Sequence, residues 1–313
     1  MMKNSSKPSI NQMIEEKASQ RGMTNFAESF MPKIFLVCAI ISILTTVGIV
    51  LTLLFETFTF FSEVPFMEFI TSPDWYPMFG DPDFGVRPLI LGTLTIAGIA
   101  MCVAIPIGLA SAIYLSEYAS DKVRRIIKPI LEVLAGIPTI VYGFFALTFI
   151  TPILQAVIPG LSIYNALSPG LVMGVMIIPM VASLSEDAMS SVPNSMREGA
   201  FALGATRFEV AAKVVLPAAL SGVIASFVLA ISRAIGETMI VTVAGGANPT
   251  TDLDITSSMQ TMTSYIVQVS LGDAGFGTTV YYSIYAVGMT LFIFTLIMNI
   301  IAHFISKRFR EVY

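Results

Sequence analysis

Glu198-Gly199-Ala200-Phe201-Ala202-Leu203-Gly204 interrupts a chain that is otherwise strongly apolar, and the chain turns apolar again at Leu216-Pro217. The segment is short, glycine-punctuated and mildly charged, and it lies between two long hydrophobic runs. A water-compatible insert in that position predicts a surface on which a soluble partner docks. Pro193-Asn194-Ser195 predicts the start of a short helix carrying Met196 to Leu203, and Gly204 predicts its left-handed stop. A second short helix is expected from Thr206 to Val215, ended by Pro217. The same residues also fit an ordinary loop.

The rest of the chain reads as membrane. Its 313 residues are 55% hydrophobic and only 12% charged, against about 25% charged in an average soluble domain. That is too little charge to coat a water-facing surface. A spanning helix needs about 20 mostly apolar residues, and six such runs are legible: Ile34–Phe58, Pro88–Tyr114, Pro129–Phe149, Leu171–Leu184, Leu220–Ala244 and Val280–Phe304. The fold class expected is an all-α integral membrane protein of six transmembrane helices, with the polar insert Ser185–Lys213 between the fourth and fifth. A net charge of −4 gives no basic patch of the kind nucleic acid requires. Cys38 and Cys102 lie inside apolar runs and are expected to be small buried hydrophobes rather than a disulfide. A single histidine, His303, with two dispersed cysteines supplies no zinc site.

Charge distribution orients the spans. Residues 1–33 are polar and lack the short basic start and small-residue cleavage site of a signal peptide; they are expected to be a cytoplasmic tail, with a weakly periodic interfacial helix over Ile10–Phe30. With the N-terminus inside, all 17 Lys and Arg except Arg87 and Arg233 fall on the inner side. The positive-inside bias therefore predicts both termini, and the Glu198 insert, in the cytoplasm. Trp75 and Tyr76 suit the outer headgroup level. Gly170-x-x-x-Gly174 predicts close helix packing within the chain, and Pro106, Pro138 and Pro179 predict kinks.

No catalytic constellation is present. There is no G-x-x-x-x-G-K-[ST] and no Gly-Lys dipeptide, so the chain has no phosphate-binding loop of its own, and H-E-x-x-H is absent. The strongest buried signal is Arg233 with Glu237, four residues apart in the fifth span, where one helical face lets them pair. One reading is a structural ion pair. The other is a charged position on a solute path, because a fork-shaped guanidinium suits tetrahedral oxyanions. Ser232, Thr238 and Thr242 extend a polar strip beside it. Glu132, Glu186 and Asp187 are expected to be solvated at span ends, and Glu56 to reach the interface.

Glu198-Gly199-Ala200, Gly204 four residues on, and Leu216-Pro217 resemble the EAA loop of ABC-importer permeases, with Gly199 where that pattern has alanine. Gly136-Ile137-Pro138-Thr139-Ile140-Val141-Tyr142-Gly143, Met176-Ile177-Ile178-Pro179 and Arg233-Ala234-Ile235-Gly236-Glu237-Thr238-Met239 narrow this to the phosphate-importer permeases, and Met239 onward is similar to their PstC branch more than to PstA. The likeness covers about Pro88 to the C-terminus.

The resemblance implies an ABC type I importer permease domain over residues 88–305, with the coupling loop at 185–217; hydropathy and charge add a first helix and external loop over 34–87 and cytoplasmic tails at 1–33 and 306–313. It implies residence in a bacterial inner membrane. It also implies a heterodimer with a PstA-like second permease, a PstB-like ATPase dimer that holds ATP and Mg2+, and a PstS-like phosphate-binding protein. No cofactor is then expected on this chain, which is not itself an enzyme. Arg233, Glu237 and Thr238 would line the phosphate path. Glu198, Gly199, Ala200, Gly204, Leu216 and Pro217 would form the ATPase-coupling loop. Permeases for other oxyanions (molybdate, sulfate, phosphonate) and a non-transporting scaffold or signalling subunit remain the alternatives.

Overall fold

The computed structural model describes residues 10–308 other than 79 and 81, with side chains at residue 10 and from residue 30 onward apart from 273, 303, 306 and 308. The expectations for residues 1–9, for the last five residues and for the His303 side chain lie outside the described residues. The chain divides into two units, residues 1–55 and 56–313.

The described residues of the first unit lie in one helix. α1 runs Ile10–Glu63, without interruption at residue 33, where composition changes from polar to apolar. From Phe30 to Phe55 none of its side chains is buried, and the run Phe35-Leu36-Val37 through Ile49 is exposed. An apolar helix with no protein cover is stable only in lipid. Cys38 is on this surface and is exposed, as is Cys102. Their apolar neighbours place both thiols against lipid rather than, as the sequence suggested, in a protein core.

The second unit opens with α2 (Phe66–Thr71) and a small hairpin, β1 (Trp75–Tyr76) and β2 (Asp83–Phe84), with Trp75 opposite Phe84. α3 (Arg87–Ile113) continues through a π turn to Tyr118. α4 (Asp121–Ala135) follows; then α5 (Thr139–Phe145) passes through a π turn, Ala146–Ile150, into α6 (Thr151–Val157). α7 (Leu167–Ser190) precedes α8 (Asn194–Ala202), and α9 (Arg207–Val210) passes through a π turn, Ala211–Val215, into α10 (Leu216–Ala218). α11 (Leu220–Ile235), α12 (Met239–Ala244), α13 (Met262–Gln268) and α14 (Thr279–Arg308) complete the chain.

Among the described residues five helices are long and apolar enough to cross a membrane: Phe30–Glu63, Arg87–Tyr118, Thr139–Val157, Leu167–Ser190 and Thr279–Ala302. A sixth crossing is made if Arg207–Ala218 and Leu220–Ile235, which meet at 74°, count as one span. Two expected spans need correction. The third lies at Thr139–Val157, not at Pro129–Phe149, because α4 is a separate helix carrying Lys122, Arg124, Arg125, Lys128 and Glu132, with none of its residues buried. The helix ends at Gly136, and Pro138 disfavours helical geometry at Ile137, so the turn falls inside the run read as one span. The fifth, Leu220–Ala244, breaks after Ile235.

Two π turns end two residues before a proline, Pro152 and Pro217. Proline donates no N–H and crowds the carbonyl four residues back. One widened turn absorbs both defects and lets the helix continue. Pro217 therefore does not stop the second loop helix; the chain bends at Ala219, one residue beyond α10.

The core of this unit centres on α3 against α7. Gly170 and Gly174 let the two backbones meet: a Cβ on Gly174 would lie 2.7 Å from Val103 Cβ and 2.8 Å from the Ala100 carbonyl. The small-residue pattern is thus used for packing within the chain. Buried Ile96, Ala100, Met173, Ile177, Ala234 and Ile240 fill this middle layer. An aromatic layer of Phe60, Phe69, Trp75, Phe84 and Tyr265 closes one end, its rings meeting edge to face at 4.8–6.3 Å. A third layer, built on Ala112, Met189, Val210, Val215 and Val223, lies at the other end beneath the polar loop.

Candidate functional site

Arg233 occupies the last turn of α11, and Glu237 does not share its helix. α11 ends at Ile235 with Gly236 as its cap, so the four-residue spacing never becomes a helical face. The Glu237 carboxylate instead accepts the backbone N–H groups of Met239 at 3.2 Å and Ile240 at 3.5 Å, at the start of α12. These are orphan donors of a helix N-terminus, where a negative charge is favoured. Glu237 is 8% exposed, and its carbonyl accepts from Thr263 Oγ1 at 2.8 Å. The expected Arg233–Glu237 pair is therefore absent: no carboxylate of a described residue lies within ion-pair distance of Arg233. The sequence reading failed here because it assumed an unbroken fifth span.

Arg233 is exposed. Its Nη2 donates to the Met176 sulfur at 4.0 Å. Its position at a helix C-terminus stabilises the cation without occupying its donors. Beside it, Ser232 bonds Asn299 Oδ1 on α14 at 3.2 Å. Thr238 bonds the Gly236 carbonyl at 3.2 Å and Thr242 the Thr238 carbonyl at 2.7 Å. The strip is polar, but its hydroxyls are engaged locally. At the aromatic end of the molecule a cavity of about 190 Å3 opens among Trp75, Tyr76, Asn248, Gln260 and Gln268. None of its lining residues is charged, so it offers an oxyanion no counterion.

The polar loop forms two helices meeting at Gly204, as its sequence predicts. Gly204 has φ +84°. Its N–H reaches the Phe201 carbonyl at 2.9 Å and the Ala205 N–H reaches the Ala200 carbonyl at 3.1 Å, the paired bonds of a Schellman stop. Thr206 then opens α9 in a reciprocal capping box with Glu209. Glu198 and Gly199 are exposed, Ala200 and Leu216 are half-buried, and Pro217 is exposed. Leu203 is 91% exposed and Phe208 70%, with Phe201 beside them also exposed. A two-helix knob with uncovered large apolar side chains at its turn has the character of a docking surface.

Sequence reasoning missed what ties this knob down. Arg197, on α8, holds Glu117 at the end of α3 through Nε at 3.2 Å and Nη2 at 3.0 Å, and donates to the carbonyls of Met189 at 2.8 Å and Val192 at 2.6 Å. It also missed Glu186, expected to be solvated. That side chain is fully buried on α7, bonded to Arg124 and Ser190, with Lys128 Nζ 2.6 Å from Oε2. Asp187, by contrast, is largely exposed and meets Lys128 at 2.8 Å, and Glu132 is exposed. The available signal was charge matching: lone acids ending the second and fourth apolar runs, with bases in the polar segments that follow.

Comparisons with known proteins give the family. Residues 104–311 match the family model of the binding-protein-dependent transport system inner membrane component. The chain belongs to that family, the permeases of ABC importers, and is a multi-pass membrane protein; in this family a separate ATPase hydrolyses ATP. It is 32% identical over 276 residues to a probable ABC transporter permease, YqgH, of Bacillus subtilis, covering 87% of this chain and 88% of that one. It is 32% identical to the phosphate transport system permease protein PstC of Mesorhizobium japonicum, over 77% of this chain and 78% of the relative. The PstC of Haemophilus influenzae is 38% identical over 56% of this chain and 61% of its own. Among solved structures, a chain of the bacterial ABC importer of the acidic polysaccharide alginate superposes with a TM-score of 0.64 at 17% identity, over 93% of this chain and all of that one. A chain of the MetNI methionine transporter, facing inward, gives 0.53 at 18% identity, over 72% of this chain and 95% of that one. At these identities the two structures support the fold alone.

Proposed function

We propose that this chain is the permease subunit of an ATP-driven importer of inorganic phosphate, forming one half of the translocation path beside a PstA-like permease. The observation that carries the reading is Arg233, an exposed guanidinium with no carboxylate partner among the described residues, set where α11 breaks. A permanently charged, bidentate donor is the side chain best suited to a tetrahedral oxyanion. The kinship with proteins named phosphate transport system permeases supports phosphate over other anions.

In this reading a PstS-like protein delivers phosphate at the Trp75 end, and Arg233 offers it a transient site. Glu237 does not compete for Arg233; it fixes the start of α12 so that the break after Ile235 keeps its shape. The polar loop faces the cytoplasm and seats Leu203 and Phe208 on a PstB-like ATPase, which binds ATP and Mg2+. Closure of the ATPase moves α8, and Arg197 passes that movement to α3.

The deciding experiment is ATP-dependent phosphate uptake by the reconstituted complex carrying Arg233→Gln. A charge-assisted hydrogen bond contributes about 1.5–3 kcal/mol, so uptake should fall at least about tenfold at subsaturating phosphate. Unchanged uptake would sink the pathway role of Arg233. Competition by molybdate, sulfate or phosphonate at equal concentration should be weak, and strong competition by one of them would reassign the substrate.

A further inference from the structure

Away from the path, a groove of about 470 Å3 runs between the end of α1, α2, the start of α3 and α14. Phe61, Phe66, Ile90, Met289, Ile293 and Ile297 make its walls apolar. Three polar residues interrupt them: Arg87, Thr57 and Thr290, whose hydroxyl donates to the Ala286 carbonyl at 2.8 Å. Arg87, the first residue of α3, is exposed at the rim; its Nη1 donates to the Thr71 carbonyl at 3.2 Å, and no carboxylate of a described residue lies within ion-pair distance. Thr57 also lines the groove, and its buried hydroxyl has no hydrogen-bond partner.

The length of the groove limits what fills it. On α14 it extends from Ala286 to Ile297, about 17 Å at about 1.5 Å per residue. That is close to half of a hydrocarbon core about 30 Å thick. The groove is thus about one leaflet deep, with its cation at the helix ends and its apolar floor running toward the bilayer centre. We propose that it seats an anionic glycerophospholipid. The acyl chain lies along Met289, Ile293 and Ile297, and the phosphate meets the unoccupied N–H groups of Arg87. A helix from another subunit would fill the walls but leave the cation unmatched, and a zwitterionic lipid would carry its own counterion to Arg87.

The test uses the assembled transporter in nanodiscs containing a photoactivatable phosphatidylglycerol, or a phosphatidylcholine of the same chain, with labelled peptides mapped by mass spectrometry. Phosphatidylglycerol should label the peptides holding Phe61 and Ile293 about fivefold more than phosphatidylcholine, as one surface cation contributes about 1 kcal/mol toward an anionic lipid. Arg87→Gln should remove the difference and Arg87→Lys should keep most of it. Met289→Trp, which fills the groove and leaves the charge alone, should lower labelling by both lipids. Equal labelling by the two lipids would overturn the proposal. So would absence of label from these peptides, which would mean a protein segment covers the groove, or labelling indifferent to Met289→Trp.

Discussion

Arg197 and Glu117 stand eighty residues apart in sequence and form a bidentate ion pair that fastens the first helix of the polar loop to the end of α3. Their side chains are only 14% and 7% exposed, so the pair is well shielded from solvent. The same guanidinium holds two carbonyls at the end of α7. One side chain therefore joins the loop to both central helices.

Removing that side chain should separate two activities. Arg197→Ala leaves the shielded Glu117 carboxylate with no counter-ion and the Ser116 hydroxyl as its remaining donor, a loss of about 3 kcal/mol, and frees α8 from the bundle. In the reconstituted transporter, ATP hydrolysis should persist while phosphate moved per ATP falls severalfold. Glu117→Gln should be milder, because the amide still accepts from Arg197. Wild-type stoichiometry in Arg197→Ala would show that movement reaches the bundle by another route.

Arg233 and Glu237 make a second prediction because they do not meet. Groups in contact couple by about 0.5–3 kcal/mol, and independent groups add. A double-mutant cycle of Arg233→Gln and Glu237→Gln on uptake should give a coupling below about 0.5 kcal/mol. The single variants should also differ in kind: Arg233→Gln acts on uptake without altering thermal stability, whereas Glu237→Gln weakens the start of α12 by about 1 kcal/mol. A coupling above about 1.5 kcal/mol would mean that the two side chains pair in the working transporter.

Those two residues also show where sequence ceases to determine structure. The two short helices of the polar loop and their turn at Gly204 were legible, since a left-handed glycine stops a helix through bonds made within a few positions; the end expected at Pro217 was not, because a widened turn carries the helix past it. The spans were legible as composition. Their breaks were not: Ile235–Met239 falls inside the long apolar run Leu220–Ala244, and the packing of α12 against α5 and α13 holds the interruption. The burial of Glu186 was hidden likewise, because its partners Arg124 and Lys128 lie about sixty residues away on α4.

That buried cluster predicts an alkaline limit. Burial opposes the Lys128 ammonium, but hydrogen bonds to Asp187 and Glu186 and their charges outweigh it, so its pKa is raised. A raised ammonium contributes stability in full below its unfolded value, about 10.4, and loses it as pH climbs through the folded value. Thermal stability of the purified complex should therefore decline above about pH 10.4 more steeply in wild type than in Lys128→Met. Parallel declines would show that the cluster does not titrate with folding. At neutral pH, Arg124→Met with Lys128→Met should cost about 3 kcal/mol or more, since it strands Glu186.

The last prediction separates the shape of the polar loop from its surface. A Cβ on Gly204 would meet nothing within 4 Å, so the only penalty for a side chain there is its φ of +84°. Left-handed backbone costs an ordinary L-residue about 1–2 kcal/mol, and asparagine less. Gly204→Ala should therefore speed amide exchange at Ala205, whose N–H closes the turn onto Ala200, and Gly204→Asn should do so less. Uptake should follow the same order. Leu203→Ser keeps the backbone and removes an apolar contact from a residue 91% exposed; it should leave exchange unchanged and weaken capture of the ATPase. Should Leu203→Ser bind the ATPase as wild type does while Gly204→Ala fails, the partner reads the bend of the loop rather than its apolar tip.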